Sequence, residues 1–252
     1  MIDPNAPTVL TKRVDAWPPL RRIEGRLLVS AVLIAGGLWA LLALIDDVRE
    51  QESARLDRLI LLAFRVPGDL GTPVGPRWVQ ESARDFTALG GFTVLTLISL
   101  LAVALLVMHR RKLQSFIFGA TVLITQLAAE VVKHLIHRPR PDLVPHHDLV
   151  YSSSFPSGHA TMSPVVYFTL AVIVAAGERD RPTRALLFAG ATLLVVAIGV
   201  SRVYLGVHWP TDVLAGWALG GAIALAAMTV LHLTRSKVAS EGELGAAGNA
   251  ER

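Results

Sequence analysis

No cysteine occurs among the 252 residues, which excludes disulfides and thiolate metal sites and leaves the redox compartment unread. Charge is scarce as well. Asp, Glu, Lys and Arg make up 17% of the chain against 52% hydrophobic residues, where a soluble domain of this length would carry more charge. The net charge of +4 comes from basic residues scattered through short loops and termini, so no basic face for nucleic acid is assembled. Internal repeats are absent too.

What the chain has in quantity is long apolar runs. A helix needs about 20 mostly apolar residues to span a bilayer. Six runs qualify: Leu27–Ile45, Phe86–Met108, Leu113–Leu135, Ala160–Ala176, Ala185–Val203 and Val213–Leu233. The first is longer than a signal-peptide core and lacks a small-residue cleavage site, so it is expected to be an uncleaved span. The predicted fold is an all-α, polytopic membrane protein with six transmembrane helices in a bundle. Its expected divisions are an N-terminal segment 1–25, a six-span domain 26–235 and a disordered tail 236–252.

Cationic residues of short loops stay cytoplasmic. Lys12, Arg13, Arg21 and Arg22 precede the first span, Arg110, Arg111 and Lys112 follow the second, Arg179, Arg181 and Arg184 follow the fourth, and Arg235 and Lys237 follow the sixth. By parity all four groups share one side, which puts both termini in the cytoplasm. The segments 46–85, 137–158 and 204–211 then fall outside, at a cytoplasmic membrane facing periplasm or exterior. Within the first of these, residues 52–66 read as an amphipathic helix. Leu56, Leu59, Ile60, Ala63 and Phe64 form its apolar stripe, with Arg55, Asp57, Arg58 and Arg65 elsewhere. Such a helix serves either at the outer interface beside a lateral lipid entry or as a connector packed on the bundle. Pro67 to Pro76 reads as a turn region.

Three polar clusters interrupt the apolar pattern, all at span ends on the outer side. In the third, His208 and Asp212 are four residues apart, close enough to meet across a helical turn, with Pro210 suited to the first turn of the last span. A carboxylate on one imidazole nitrogen presents the other to an electrophile. Taken alone, the pair serves equally well as a polar helix cap. In the second, Pro156, Ser157, Gly158 and His159 precede the fourth span. Ser157 suits a cap, Gly158 allows close approach of backbone to a ligand, and a helix N-terminus holds an anion. His159 then stands where it can protonate a leaving oxygen. The first runs from Lys133 to Pro141, where Lys133 and Arg140 suit phosphate oxygens and Arg138 reads as an interfacial anchor.

Lys133 with Arg140 and Pro141, residues 156–159, and Ser201, Arg202, His208 and Asp212 resemble the motifs Lys-x6-Arg-Pro, Pro-Ser-Gly-His and Ser-Arg-x5-His-x3-Asp. By these motifs the chain is identified as a member of the type 2 phosphatidic acid phosphatase superfamily, in its integral-membrane lipid phosphatase branch. No motif position departs from the pattern. The resemblance implies that His208 attacks phosphorus to form a phosphohistidine, Asp212 orients it and His159 protonates the departing oxygen. Lys133, Arg140, Ser157, Gly158, Ser201 and Arg202 would hold the phosphoryl oxygens. Three cationic side chains with a helix terminus do this without a divalent ion, so no metal or other cofactor is expected.

Glu130, an ionisable residue inside a span, is expected to steady Lys133 from behind. His134, His137, His146 and His147, with Asp142 and Asp148, match no ligand spacing and read as loop residues. Gly216 and Gly220 suit close helix packing, and Trp78, Arg84 and Asp85 suit interfacial anchoring. The expected partners are the bilayer and a lipid phosphate or pyrophosphate: undecaprenyl pyrophosphate first, phosphatidic acid or phosphatidylglycerol phosphate next. A lipid phosphotransferase would use the same residues. A vanadium-dependent haloperoxidase shares the anion motifs but not six spans, and a silent lipid-binding or transport protein would not be expected to keep His159, His208 and Asp212.

Overall fold

A computed structural model describes residues 18–144 and 152–250, with side chains over 25–144 and 152–234. Among the described residues eight helices follow one another: α1 (Pro18–Glu50), α2 (Ala54–Ala63), α3 (Arg77–Leu89), α4 (Phe92–Met108), α5 (Lys112–Ile136), α6 (Gly158–Ala175), α7 (Arg181–Tyr204) and α8 (Pro210–Ala250). A short antiparallel hairpin, β1 (Arg65–Val66) with β2 (Asp69–Pro73), follows α2 and pairs Arg65 with Pro73. It occupies part of the stretch expected to be a turn region, and it also shortens the helix expected over 52–66. Asp69 accepts from the Gly71 N–H at 3.0 Å and the Thr72 hydroxyl at 2.6 Å, which fixes the hairpin turn.

Among the described residues five helices are long and apolar enough to cross a membrane, and α3 with α4 make a sixth span if taken together across a 46° bend. The second span expected at Phe86–Met108 is therefore corrected. It breaks at Gly90 and Gly91, although its apolar character runs on. The break has a packing reason. A Cβ on Gly90 would lie 2.4 Å from Ile198 Cγ2 and 3.2 Å from His159 Cδ2, so only glycine lets α6 and α7 come this close.

Helix α6 is the centre of the bundle, with Thr161, Ser163, Val165, Val166 and Thr169 fully buried. It packs on α8 through the expected small-residue face. A Cβ on Gly220 would lie 2.1 Å from the Thr161 carbonyl oxygen, and one on Gly216 2.8 Å from Ala160 Cβ. Phe118, Val166, Ile173 and Leu231 knit α5, α6 and α8 together, and α1 lies outside α8, with Leu41 against Leu219. The outward faces carry Leu33, Trp39, Leu101, Leu127, Leu186 and Leu193, as lipid contact requires. The protein is thus a multi-pass helical membrane protein.

The backbone of α8 continues to Ala250, through most of the stretch expected to be a disordered tail. Ala, Glu and Leu there favour a helix. Residues 1–17 of the segment 1–25 lie outside the described residues, as do His146, His147 and Asp148, while its last residues open α1.

Candidate active site

The end of α5, the start of α6 and the α7–α8 link meet at one end of the bundle. Helix α7 stops at Tyr204, Gly206 turns the chain with φ +77°, and α8 restarts at Pro210. His208 sits in this link, 2% exposed. Its Nδ1 lies 3.4 Å from Asp212 Oδ2, and its Nε2 lies 3.0 Å from Arg140 Nη1. A guanidinium only donates, so Nε2 carries the lone pair and Nδ1 the hydrogen that faces Asp212. Burial pushes the His208 pKa down to about 4, helped by the charges of Arg202 and Arg140 and opposed by Asp212. At neutral pH this imidazole is unprotonated, the state in which its Nε2 can act as a nucleophile.

Asp212 is held from several directions. Oδ2 also accepts from the Trp209 N–H at 2.8 Å and from the Ser154 hydroxyl, while Oδ1 accepts from Arg138 Nη1 at 2.6 Å. Arg138 reaches Asp57 Oδ2 with its other nitrogen at 2.6 Å, and its side chain is only 11% exposed. The reading of Arg138 as an interfacial anchor is therefore corrected: it bridges two buried carboxylates. Asp57 in turn accepts from the Thr211 N–H at 3.0 Å and the Thr211 hydroxyl at 2.7 Å. It thus caps the first turn of α8 from a distant helix.

Opposite His208 stands the anion-facing side. Gly158 opens α6, and a Cβ there would sit 3.6 Å from Lys133 Nζ, which places Lys133 beside the helix terminus. Ser157 occupies the cap position, but its hydroxyl makes no capping bond and has no protein partner, although fully buried. Its N–H donates instead to the Asp212 carbonyl at 3.0 Å, joining α6 to α8. Arg140 is fixed by donation to Val207 O at 2.7 Å and Ser152 O at 2.9 Å. Arg202, 1% exposed, donates to Thr87 Oγ1 at 2.8 Å. His159 lies beside the α3–α4 bend, its ring against Gly90 and Gly91, and faces the same cavity as Lys133, Arg140, Arg202 and His208.

Lys133, Arg140, Gly158, His159, Arg202 and His208 line one cavity of about 840 Å³, which Glu130 also lines. Glu130 Oε1 lies 3.4 Å from Lys133 Nζ, the pairing its spacing suggested. Asp212 and Ser157 stand behind this wall. Ser201 is turned away, its hydroxyl donating to Ile198 O at 2.7 Å within its own helix. The cavity continues between α4 and α5 past Leu95, Leu100, Val103, Val122 and Leu123. A cationic head thus opens into a mainly apolar groove. Trp78, Arg84 and Asp85 do not line the cavity, and among the described residues no three His, Asp or Glu side chains are grouped to hold a metal.

A family model described as the PAP2 superfamily matches residues 114–236, a stretch that contains all three polar clusters. Phosphatidylglycerophosphatase B of Bacillus subtilis is 33% identical over 153 residues, which cover 57% of this chain and 70% of that protein. The chain belongs to the PAP2 superfamily. Lipid A 1-phosphatase of Rhizobium etli is 30% identical over 190 residues, covering 66% of this chain and 77% of that one. The fold agrees. The crystal structure of a transmembrane PAP2-type phosphatidylglycerolphosphate phosphatase from Bacillus subtilis matches with a TM-score of 0.68 at 25% identity, over 77% of this chain and 93% of that one.

Beyond the motif residues, this PAP2 site contains Asp57, Arg138, Ser152 and Ser154, none of which was singled out for the site from sequence. One signal was available for Asp57. Leu56, Leu59 and Ile60 are exposed, while Asp57 and Leu61, four apart, form the buried face of α2. A carboxylate in register with a buried leucine marks a polar contact rather than a solvated face.

Proposed function

We propose that this PAP2 enzyme, a membrane lipid phosphatase, cleaves phosphomonoester or pyrophosphate groups from lipids through a phosphohistidine at His208. The phosphoryl group takes the place between His208, Lys133, Arg140 and the first turn of α6, and its oxygens replace Nε2 as the acceptor for Arg140. Nε2 attacks phosphorus, the P–O bond to the lipid breaks, and His159 gives a proton to the departing oxygen. Water then attacks the phosphohistidine, the P–N bond breaks, and the proton of that water returns to His159. Asp212 holds the Nδ1–H throughout, stabilising the positive charge that develops on the ring.

The observation that carries this reading is the state of His208: a buried imidazole with Nδ1 turned to Asp212 and Nε2 turned to an arginine in the cavity. Support for a lipid substrate comes from the apolar groove that continues the cavity between α4 and α5. Undecaprenyl pyrophosphate, phosphatidic acid and phosphatidylglycerol phosphate all have this form, a phosphate head on a long apolar body. The charge of Lys133, Arg140, Arg202 and the α6 terminus suffices to hold the developing anion, so turnover is metal-independent. The positive-inside pattern of the sequence supports a site on the non-cytoplasmic side of the cytoplasmic membrane, with both termini inside.

Phosphate release by the purified protein from a panel of these lipids tests the reading. Wild-type protein is expected to turn over with EDTA present, and His208→Ala to lose activity by at least about a thousandfold. Retained activity in the variant removes the nucleophile assignment. Loss to EDTA with rescue by magnesium removes metal independence.

A further inference from the structure

The groove below the phosphate site is not uniformly apolar. Thr96 and Ser99 on α4 and Gln126 on α5 line it, at a depth where polar side chains are costly unless they find partners. Ser99 is 8% exposed and its hydroxyl has no partner in the protein. The hydroxyls of Thr121, Thr125, Thr161 and Thr229 fold back onto the carbonyl four residues earlier, the usual refuge for a helical hydroxyl. Ser99, like Ser163 and Thr169 on α6, does not, and of these three it is Ser99 that stands in the groove wall. Gln126 spends one amide hydrogen on Glu130 Oε1 at 3.4 Å, which leaves its other hydrogen and its carbonyl oxygen to be matched.

These groups form a ladder of known height. A Cβ on Gly119 would meet Val103 Cγ2 at 3.7 Å, and the two helices run antiparallel, so Thr96 lies level with Gln126 and Ser99 about one turn deeper. Gln126 is seven residues from Lys133, about 10 Å along the helix axis. Below Ser99 the lining is Leu100, Val103, Val122 and Leu123. The hydrogen-bonding groups of the groove wall thus lie toward the phosphate, beside Phe92, Leu95 and Met162, and deeper in, the lining is hydrocarbon.

We propose that Thr96, Ser99 and Gln126 form a polar subsite that takes the oxygen-bearing linker of a glycerophospholipid, so that the enzyme selects glycerolipid phosphomonoesters over prenyl phosphates. This rests on the lipid phosphatase reading above. The ester oxygens of such a lipid lie between the phosphate and the acyl chains, at the height of the ladder. A prenyl phosphate presents hydrocarbon from the first carbon onward and would leave the Ser99 and Gln126 donors unmatched.

The test is a ratio. Wild-type protein and the double variant Ser99→Ala with Gln126→Leu are assayed in the same mixed micelles on dioleoyl phosphatidate and on geranylgeranyl monophosphate. The ratio of the two kcat/KM values is expected to fall about tenfold in the variant, through KM for the phosphatidate. A ratio taken on one preparation does not depend on the fraction folded, so a partly misfolded variant still decides the matter. An unchanged ratio, with wild-type activity intact, overturns the subsite and leaves the phosphatase reading standing. Phosphate release from neither lipid by the wild type overturns both.

Discussion

At the residue scale, the proposed chemistry depends on a histidine kept neutral by burial. The ordinary imidazole pKa is 6.5 and that of His208 is lowered to about 4, so the unfolded chain takes up the proton first as pH falls. The contribution of neutral His208 to stability is complete above pH 6.5 and is lost as pH drops to about 4. The loss is at most about 3 kcal/mol. Thermal unfolding in detergent from pH 7 to pH 4 should show it, with a shallower fall of Tm in His208→Asn. Equal slopes in the two proteins would contradict the assigned burial penalty. Much of this residue chemistry was legible in the sequence because the partners are near neighbours. His208 and Asp212 are one helical turn apart, and Lys133 and Gly158 lie at span ends. Ser201 and the expected Ser157 cap were less legible, since whether a hydroxyl turns to its own helix or to a neighbour is settled by packing.

At the element scale, α2 is tied into the site through Asp57, which grips both Arg138 and the first turn of α8. Sequence could not reveal this, since Asp57 lies 81 residues from Arg138 and 154 from Thr211. Nor did it reveal the bend between α3 and α4, because the apolar run passes through Gly90 and Gly91 without a polar interruption. Helix α2 is thus more than a connector. Asp57→Asn keeps the shape and removes the charge that balances Arg138. It is expected to cost about 1–3 kcal/mol of stability. The kcat is expected to fall about tenfold with KM unchanged, because Asp57 lines no part of the cavity and acts through the Arg138–Asp212 contact. A lower Tm with unchanged kcat would make α2 a structural brace only.

At the scale of the whole molecule, the helical bundle and its membrane character were legible from six apolar runs and few charges. The close-packing face at Gly216 and Gly220 was legible too, while its partner, the start of α6 at Ala160 and Thr161, came from the folded chain. The absence of cysteine offers a direct way to test sidedness, because any introduced thiol is unique. Arg77, whose side chain is 91% exposed, lies at the active-site end, and Arg110 at the other. In intact cells a membrane-impermeant maleimide is expected to label Arg77→Cys, and to label Arg110→Cys only after permeabilisation. The reverse pattern would place the site in the cytoplasm.

Everything in the mechanism converges on one covalent bond between phosphorus and His208 Nε2. Rapid acid-free quenching of the enzyme during turnover of a lipid carrying radiolabelled phosphate, followed by peptide mapping, reads that bond. Label is expected on the peptide containing His208, stable in alkali and lost in acid, and absent from His208→Ala. Label on another residue, or full turnover by a protein that never acquires label, would contradict it.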